Sequence, residues 1–82
     1  MKLKNQETGT DVIRLYARIR ELGYYIKDVA IRADIQPQTL YNRLNGRGKF
    51  TADEIARLRR VLHLSAEETV QIFIKGYEVE FM

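Results

Sequence analysis

Apolar residues recur at three- and four-residue spacing in five separate stretches of the chain, a pattern typical of amphipathic helices. Thr10 is expected to cap the first helix and Gly23 to end it, while Ser65 opens the fifth helix and Gly76 closes it. Short connections between these stretches predict an all-α fold, a compact five-helix bundle. The positions expected to face its core are, helix by helix, Val12, Leu15, Tyr16, Ile19 and Leu22; Ile26, Val29, Ala30 and Ala33; Leu40 and Leu44; Ile55, Leu58, Val61 and Leu62; and Val70, Phe73 and Ile74.

The starts of the fourth and fifth helices carry the residues of a capping box. Thr51 precedes Glu54 by three residues, and Ser65 precedes Glu68 by three. In this motif the hydroxyl accepts a hydrogen bond from the third helical amide, while the carboxylate accepts one from the amide of the cap. The sequence therefore predicts helices that begin directly after Thr51 and Ser65.

Residues 25–46 contain two short helical patterns separated by only a few residues. The apolar pattern breaks at Asp34, in the bend between them. Pro37 fits the first turn of a helix, so we expect the second helix over residues 37–45. Gln36 takes the position before it in place of Ser or Thr, which predicts a weak cap.

The second of these helices has two distinguishable faces. Leu40 and Leu44 lie four residues apart and are expected to point inward, whereas amides and a hydroxyl occupy the opposite face without any carboxylate. Gln and Asn can pair bidentately with adenine, and Arg with guanine, in the DNA major groove. An ordinary solvated face is the alternative, although such a face usually mixes Glu and Lys. The residues expected to read bases are Gln36, Gln38, Thr39, Asn42 and Arg43.

This segment resembles the helix-turn-helix of lambda-repressor-like and Cro-like phage regulators. The residues that carry the resemblance are Val29, Ala30, Ile35, the Gln36–Leu40 opening of the second helix and the Leu44–Gly46 close. The chain departs from the family at Asp34, where the family usually has glycine. The resemblance implies a positive φ at this position, which Asp also enters at tolerable cost. With the flanking helices included, the resemblance covers about residues 12–74. It implies a DNA-binding domain that acts as a homodimer on a palindromic operator.

A short basic loop follows the second helix of the segment. In the family that the segment resembles, this loop lies beside the DNA backbone, so Arg47 and Lys49 are expected to contact phosphates. Tyr25 and Lys27 at the start of the first helix would clamp the backbone from the other side. Any basic loop could look like this. The complete set of expected phosphate contacts is Tyr25, Lys27, Tyr41, Asn45, Arg47 and Lys49.

The composition predicts a single cytoplasmic domain over residues 1–82. The net charge of +3 is unevenly divided, because residues 1–50 carry a net +5 and residues 51–82 a net −2. The basic half contains the predicted base-reading helix, which suits a polyanionic partner. The absence of cysteine excludes disulfides and thiolate metal sites, and no apolar run is long enough for a membrane span or a signal peptide.

The two ends of the chain lack helical periodicity. Residues 1–9 are expected to form an arm, or a disordered terminus. In the tail, residues 77–82, Tyr77, Val79 and Phe81 alternate with glutamates, which is a weak signal for a short strand. This tail could pair with its copy in a dimer or with the N-terminal arm, or it could fray.

Catalytic chemistry has little support in the sequence. His63, the single histidine, lies between two leucines at the end of the fourth helix, where it has a structural explanation. One histidine without cysteine or a paired carboxylate forms neither a metal site nor a nucleophilic triad. Gly46 and Gly48 lack the lysine and serine of a nucleotide-binding loop. We expect no enzyme, no metal, no cofactor and no small-molecule substrate.

These patterns together favour a sequence-specific DNA-binding transcriptional regulator, a repressor of the Cro type. Its expected partners are double-stranded DNA and a second copy of the chain, without a membrane. The alternative is a protein-binding module, antitoxin-like or an adaptor, on the same helical scaffold. RNA binding is less favoured because the chain lacks an aromatic sheet on which bases could stack.

Overall fold

Helices account for most of the chain that the structure describes. The structure is a computed structural model, and it describes residues 9–74. No strand occurs among these residues, so the predicted all-α fold is confirmed. The predicted strand in residues 77–82, the end of the last helix at Gly76 and all but the final residue of the arm lie outside the described range. The helices are α1 (Val12–Glu21), α2 (Ile26–Ala33), α3 (Pro37–Leu44), α4 (Ala52–Val61) and α5 (Ala66–Thr69), and α5 continues into a π-helical segment, Val70–Ile74.

One cluster of buried apolar side chains joins the helices. In α2, Ala30 and Ala33 are buried together with Val29, and this helix packs against both α3 and α4. The buried side of α2 therefore connects α3 to α4. The cluster consists of Leu15, Ile19, Val29, Ala30, Ala33, Ile35, Leu40, Leu44, Leu58, Leu62, Leu64, Ile72 and Phe73.

Both predicted capping boxes are present. The Glu54 amide donates to Thr51 Oγ1 at 3.0 Å, and the Thr51 amide donates to Glu54 Oε1 at 3.0 Å. Ser65 and Glu68 repeat the pair at 3.0 and 2.8 Å. The hydrogen bond from the Ser65 amide is the main reason why the pKa of Glu68 lies below its ordinary value. The starts of α4 and α5 are therefore set by local sequence.

The turn between α2 and α3 has the predicted geometry. Asp34 adopts φ 56° and ψ 45°, the left-handed conformation, and its amide donates to the Ile31 carbonyl. Its own carbonyl accepts a hydrogen bond of 2.9 Å from Arg57 Nη1, so α4 supports the turn. Pro37 is the first residue of α3, and Gln36 makes no side-chain capping bond, as the sequence predicted.

The left-handed conformation at Asp34 predicts how this turn responds to substitution. Asp34→Val is expected to lower the free energy of unfolding by about 1 to 2 kcal/mol, because a β-branched residue is strained there. Asp34→Gly should raise it by less than about 1 kcal/mol, since glycine enters this region freely. Urea unfolding of the two variants and the parent measures both changes. Equal stability of the valine and glycine variants would contradict this account of the turn.

Two predictions for α1 are wrong. Asp11, not Thr10, caps the helix, because Asp11 Oδ1 accepts from the Arg14 amide at 3.2 Å. The Asp11 amide donates to the Ile72 carbonyl at 2.7 Å and ties this point of the chain to the π-helical segment. Thr10 is consequently buried and the helix begins one position later. Tyr16 was expected in the core, but it is 39% exposed at the edge of the apolar stripe.

The π-helical segment changes which residues of the fifth helical stretch face the core. Val70 and Ile74 were expected inward, yet they are 37% and 36% exposed. Phe73 is buried as predicted, and Ile72, which was not among the expected core positions, is buried with it. A π-helix inserts an extra residue into a turn, so later side chains rotate away from the α-helical register.

The C-terminal end of α4 is closed by an arginine from α1. Arg18 Nε donates to the Leu62 carbonyl at 2.9 Å, and Arg18 Nη2 donates to the His63 carbonyl at 2.8 Å. His63 itself adopts a positive φ of 54°, which ends the helix. A guanidinium on the last carbonyls compensates the negative end of the helix dipole, so Arg18 stabilises the bundle.

Candidate nucleic-acid interface

The α3 helix lies on the surface with one side in the core, as its sequence predicted. Leu40 and Leu44 are 1% and 4% exposed. On the other side Gln38 is exposed and Asn42 is half-buried. The remaining candidates on this side are also accessible to solvent: Gln36, Tyr41 and Asn45 are exposed, and Thr39 is half-buried.

The two amides at the centre of this exposed side are hydrogen-bonded to each other. Gln38 Nε2 donates to Asn42 Oδ1 at 3.1 Å, one helical turn apart. The bond leaves Gln38 with its carbonyl oxygen and one N–H group, and Asn42 with both of its N–H groups. Gln38 therefore keeps one acceptor and one donor side by side, which is the pair that recognises the adenine edge. The bond also restricts both side chains before any ligand binds.

The basic loop, residues 46–50, folds back against the end of α3. The Gly46 amide donates to the Arg43 carbonyl at 3.1 Å, and the Arg47 amide donates to the Asn42 carbonyl at 2.7 Å. Gly46 has a φ of 83°, which this reversal of direction requires. The backbone of Arg47 is thus hydrogen-bonded to the backbone of Asn42, and the side chain of Asn42 is a base-reading candidate.

Exposed cationic side chains precede and follow α3 in the chain. Arg47 and Lys49 of the basic loop are exposed, and between Asp34 and Asp53 the chain contains no carboxylate. At the start of α2, Lys27 is exposed and Tyr25 is 81% exposed. The candidate phosphate contacts are therefore accessible on both sides of the turn.

Arg43 has a different environment from the other base-reading candidates. Its Nε and Nη2 atoms donate to Glu54 Oε1 and Oε2 at 3.1 and 3.2 Å, a bidentate ion pair between α3 and α4. The arginine side chain is 21% exposed and the glutamate 14%. The structure therefore directs Arg43 toward α4, and in our proposal it is not one of the base-reading residues.

Glu54 is the point where the capping box of α4 and this ion pair meet. Burial alone would raise the pKa of Glu54, but hydrogen bonds from Arg43 and the Thr51 amide, with the charge of Arg43, outweigh it and hold the pKa below its ordinary value of 4.5. A lowered folded-state pKa stabilises the fold at pH values above the unfolded pKa. That contribution is lost as the pH falls through the folded pKa. The ion pair therefore persists at neutral pH.

Gly48 leaves the space that the Arg43 guanidinium occupies. A Cβ atom at this position would lie 2.7 Å from Arg43 Nη1 and 3.6 Å from its Cζ. The glycine also has a φ of 97°, a conformation that L side chains rarely adopt. The loop and the ion pair are thus packed directly against each other.

Gly48→Ala is expected to destabilise the protein more than Gly23→Ala. Both glycines have positive φ, but a Cβ at Gly23 meets nothing within 4 Å. Displacing the Arg43 guanidinium from Glu54 should add about 1 kcal/mol to the cost of backbone strain. Thermal unfolding measures the difference, and it should shrink in an Arg43→Ala background. If Gly48→Ala stays equally more destabilising than Gly23→Ala in the Arg43→Ala background, the extra cost comes from the backbone alone.

Sequence reasoning missed two residues that support this surface. Glu54 was recognised as half of a capping box, but its pairing with Arg43, eleven residues earlier, has no signature in local spacing. Arg57 resembles any solvated charge of an amphipathic helix, yet it donates to the Asp34 carbonyl in the turn. Both contacts depend on how α4 packs against the rest of the bundle, which the pattern of apolar residues does not specify.

Among residues 9–74 there is no group of three or more histidine and acidic residues that could hold a metal ion. No helix within the same range is sufficiently long and apolar to span a membrane. Comparison of the chain with protein-family models, with curated proteins and with solved structures found no match.

Proposed function

We propose that this protein is a sequence-specific DNA-binding transcriptional regulator whose α3 helix enters the major groove. The observation that carries the proposal is the hydrogen-bonded pair Gln38 and Asn42 on an exposed helix side that contains no carboxylate. Side chains that both donate and accept hydrogen bonds match the edges of base pairs in the groove. In this proposal Gln38, Thr39 and Asn42 read bases, with Gln36 at the start of the helix.

The basic loop supplies phosphate contacts in the same proposal. Arg47 and Lys49 lie directly after α3, and the Arg47 amide is bonded to the Asn42 carbonyl. Contacts to phosphates position a protein on the duplex and give much of its affinity, while base contacts give its sequence preference. A loop attached to the reading helix aligns these two kinds of contact. Tyr25, Lys27, Tyr41 and Asn45 complete the proposed backbone contacts.

A homodimer on an inverted repeat is part of the proposal. One α3 helix of eight residues can span only a few base pairs. Two copies related by a two-fold axis would read two half-sites about one helical turn apart, which provides the sequence information that one copy lacks. Repression would then follow from occupancy of the operator. The protein needs no cofactor and no catalytic group to act in this way.

A salt titration of DNA binding tests the phosphate contacts. Arg47→Gln should reduce the slope of log affinity against log salt by about 0.9 per arginine contact removed, because one contact releases about one counterion. Arg60→Gln is the matched control, since Arg60 carries the same charge in the last turn of α4, away from the loop. Fluorescence anisotropy with a labelled duplex gives both slopes.

Equal slopes for the parent and Arg47→Gln would remove this loop from the interface. A parent that binds a protein partner but shows no salt-dependent affinity for any duplex would favour the protein-binding module instead. Burial of apolar surface in such a complex would respond weakly to the same range of salt.

A further inference from the structure

Glu54 connects two parts of the proposed interface, α3 and the basic loop, to the start of α4. Its carboxylate holds Arg43 of α3 at 3.1 and 3.2 Å and accepts from the Thr51 amide at 3.0 Å. The guanidinium that it holds lies where a side chain at Gly48 would be, so it also lies against the basic loop. One acidic side chain therefore fixes the end of α3, the loop and the start of α4 relative to one another.

A bidentate ion pair between a planar guanidinium and a carboxylate restrains both distance and orientation. Arg43 follows Asn42 directly. The Asn42 carbonyl accepts a hydrogen bond from the Arg47 amide, and the Arg43 carbonyl accepts one from the Gly46 amide. A rotation of α3 on the core would have to break the pair with Glu54. The pair consequently restricts how the exposed side of α3 is presented relative to the cationic loop.

We propose that Glu54 is a positioning residue for sequence discrimination, acting on α3 through Arg43. The inference rests on the proposed function and adds a determinant of specificity that touches no base. Glu54 is itself an anion, and an anion near DNA weakens binding by repelling phosphate. In this proposal the geometry that Glu54 imposes on α3 outweighs that repulsion.

Glu54→Gln tests this role because electrostatics changes the affinity for any duplex, whereas positioning changes the ratio of affinities for two duplexes. Removal of the carboxylate should raise affinity for a scrambled duplex, since the charge of Arg43 is no longer compensated. Loss of the bidentate pair should lower the ratio of affinities for selected and scrambled duplexes by about 5-fold or more, the amount that one weakened base contact gives. Glutamine at this position still permits the reciprocal capping box, so α4 keeps its start.

Asp53→Asn is the matched control. Asp53 occupies the same first turn of α4 and carries the same charge, but its side chain is 69% exposed and pairs with Arg57 instead of Arg43. This variant should raise affinity for both duplexes similarly and leave their ratio unchanged. A second variant, Arg43→Lys, keeps the positive charge without the planar fork and should lower the ratio as Glu54→Gln does.

The outcomes separate this inference from the proposed function. A lower ratio in Glu54→Gln with an unchanged ratio in Asp53→Asn supports the positioning role. A ratio that stays equal or rises in a folded Glu54→Gln protein overturns it, and a rise would mean that Arg43, once released, reads bases itself. A parent that fails to discriminate between the two duplexes overturns the proposed function and this role together.

Hydrogen exchange gives a readout that does not depend on DNA. The amides of Gly46 and Arg47 are bonded to carbonyls of α3, and they should exchange faster in Glu54→Gln than in the parent or in Asp53→Asn. Unchanged exchange at both amides would show that the ion pair does not hold the loop on the helix, which contradicts the inference even if binding is altered.

Discussion

If α3 reads DNA as proposed, alanine at both Gln38 and Asn42 is expected to remove most of the preference for a selected DNA site. Gln38 can make a bidentate base contact, which discriminates by roughly 1 to 3 kcal/mol, and Asn42 can add contacts through its N–H groups. The loss of both should reduce the ratio of specific to nonspecific affinity by about 10-fold or more. The side chains are hydrogen-bonded to each other at 3.1 Å. Removal of either one also releases the other, so the two single substitutions should not be additive.

Competition binding with selected and scrambled duplexes measures this effect. Affinity for the scrambled duplex should change by less than about two-fold, because the cationic loop remains. Gln71→Ala provides an amide control, since Gln71 bonds to Arg14 on α1 and lies outside α3. Additive single effects would show that the two amides act independently, and an unchanged ratio in the double variant would assign base reading to other residues.

Phe73→Ala is expected to cause the largest loss of stability. Phe73 is 1% exposed, and its ring meets the Phe50 ring edge-on at a centroid distance of 5.3 Å. Truncation of a buried phenylalanine costs about 3 to 5 kcal/mol, and domains have only about 5 to 15 kcal/mol of stability in total. The thermal unfolding midpoint should therefore fall by more than about 12 °C, because each kcal/mol shifts it by roughly 4 to 8 °C in a domain of this size.

Ile74→Ala is the neighbouring control. Ile74 is 36% exposed, so its truncation should cost less than about 1 kcal/mol. Urea unfolding of both variants tests the π-helical register, because an α-helical continuation would place Ile74 in the core. A larger cost for Ile74→Ala than for Phe73→Ala would contradict the structure in this segment.

Local sequence determined the parts of the fold that could be predicted. The starts of α4 and α5 follow from the hydroxyl and carboxylate of their capping boxes. The turn at Asp34 follows from a break in the apolar pattern with a proline soon after it. These features depend on interactions between residues a few positions apart. Their physical chemistry can therefore be evaluated without knowledge of the tertiary fold.

The errors arose where tertiary contacts override local preference. Thr10 is a good capping residue, but the backbone bond between Asp11 and Ile72 buries it. The same contact joins α1 to the π-helical segment, where the side chains of Val70 and Ile74 turn outward. A sixty-residue separation along the chain leaves no signal in helical periodicity.

The candidate site could be predicted only where it depends on local sequence. The inward positions Leu40 and Leu44 followed from helical period, and the structure confirms them. The direction of the Arg43 side chain did not follow from helical period. Period placed Arg43 on the flank of α3, but its partner Glu54 belongs to another helix. The base-reading and phosphate-binding roles stay predictions that only binding measurements can test.

Selection of binding sites from a randomised duplex pool, at near-physiological salt, tests the central proposal most directly. The parent should enrich an inverted repeat with half-sites about one helical turn apart, and a Gln38→Ala/Asn42→Ala protein in parallel should lose that enrichment. Failure of the parent to enrich any sequence, or recovery of the same repeat by the double variant, would contradict direct reading of DNA by α3.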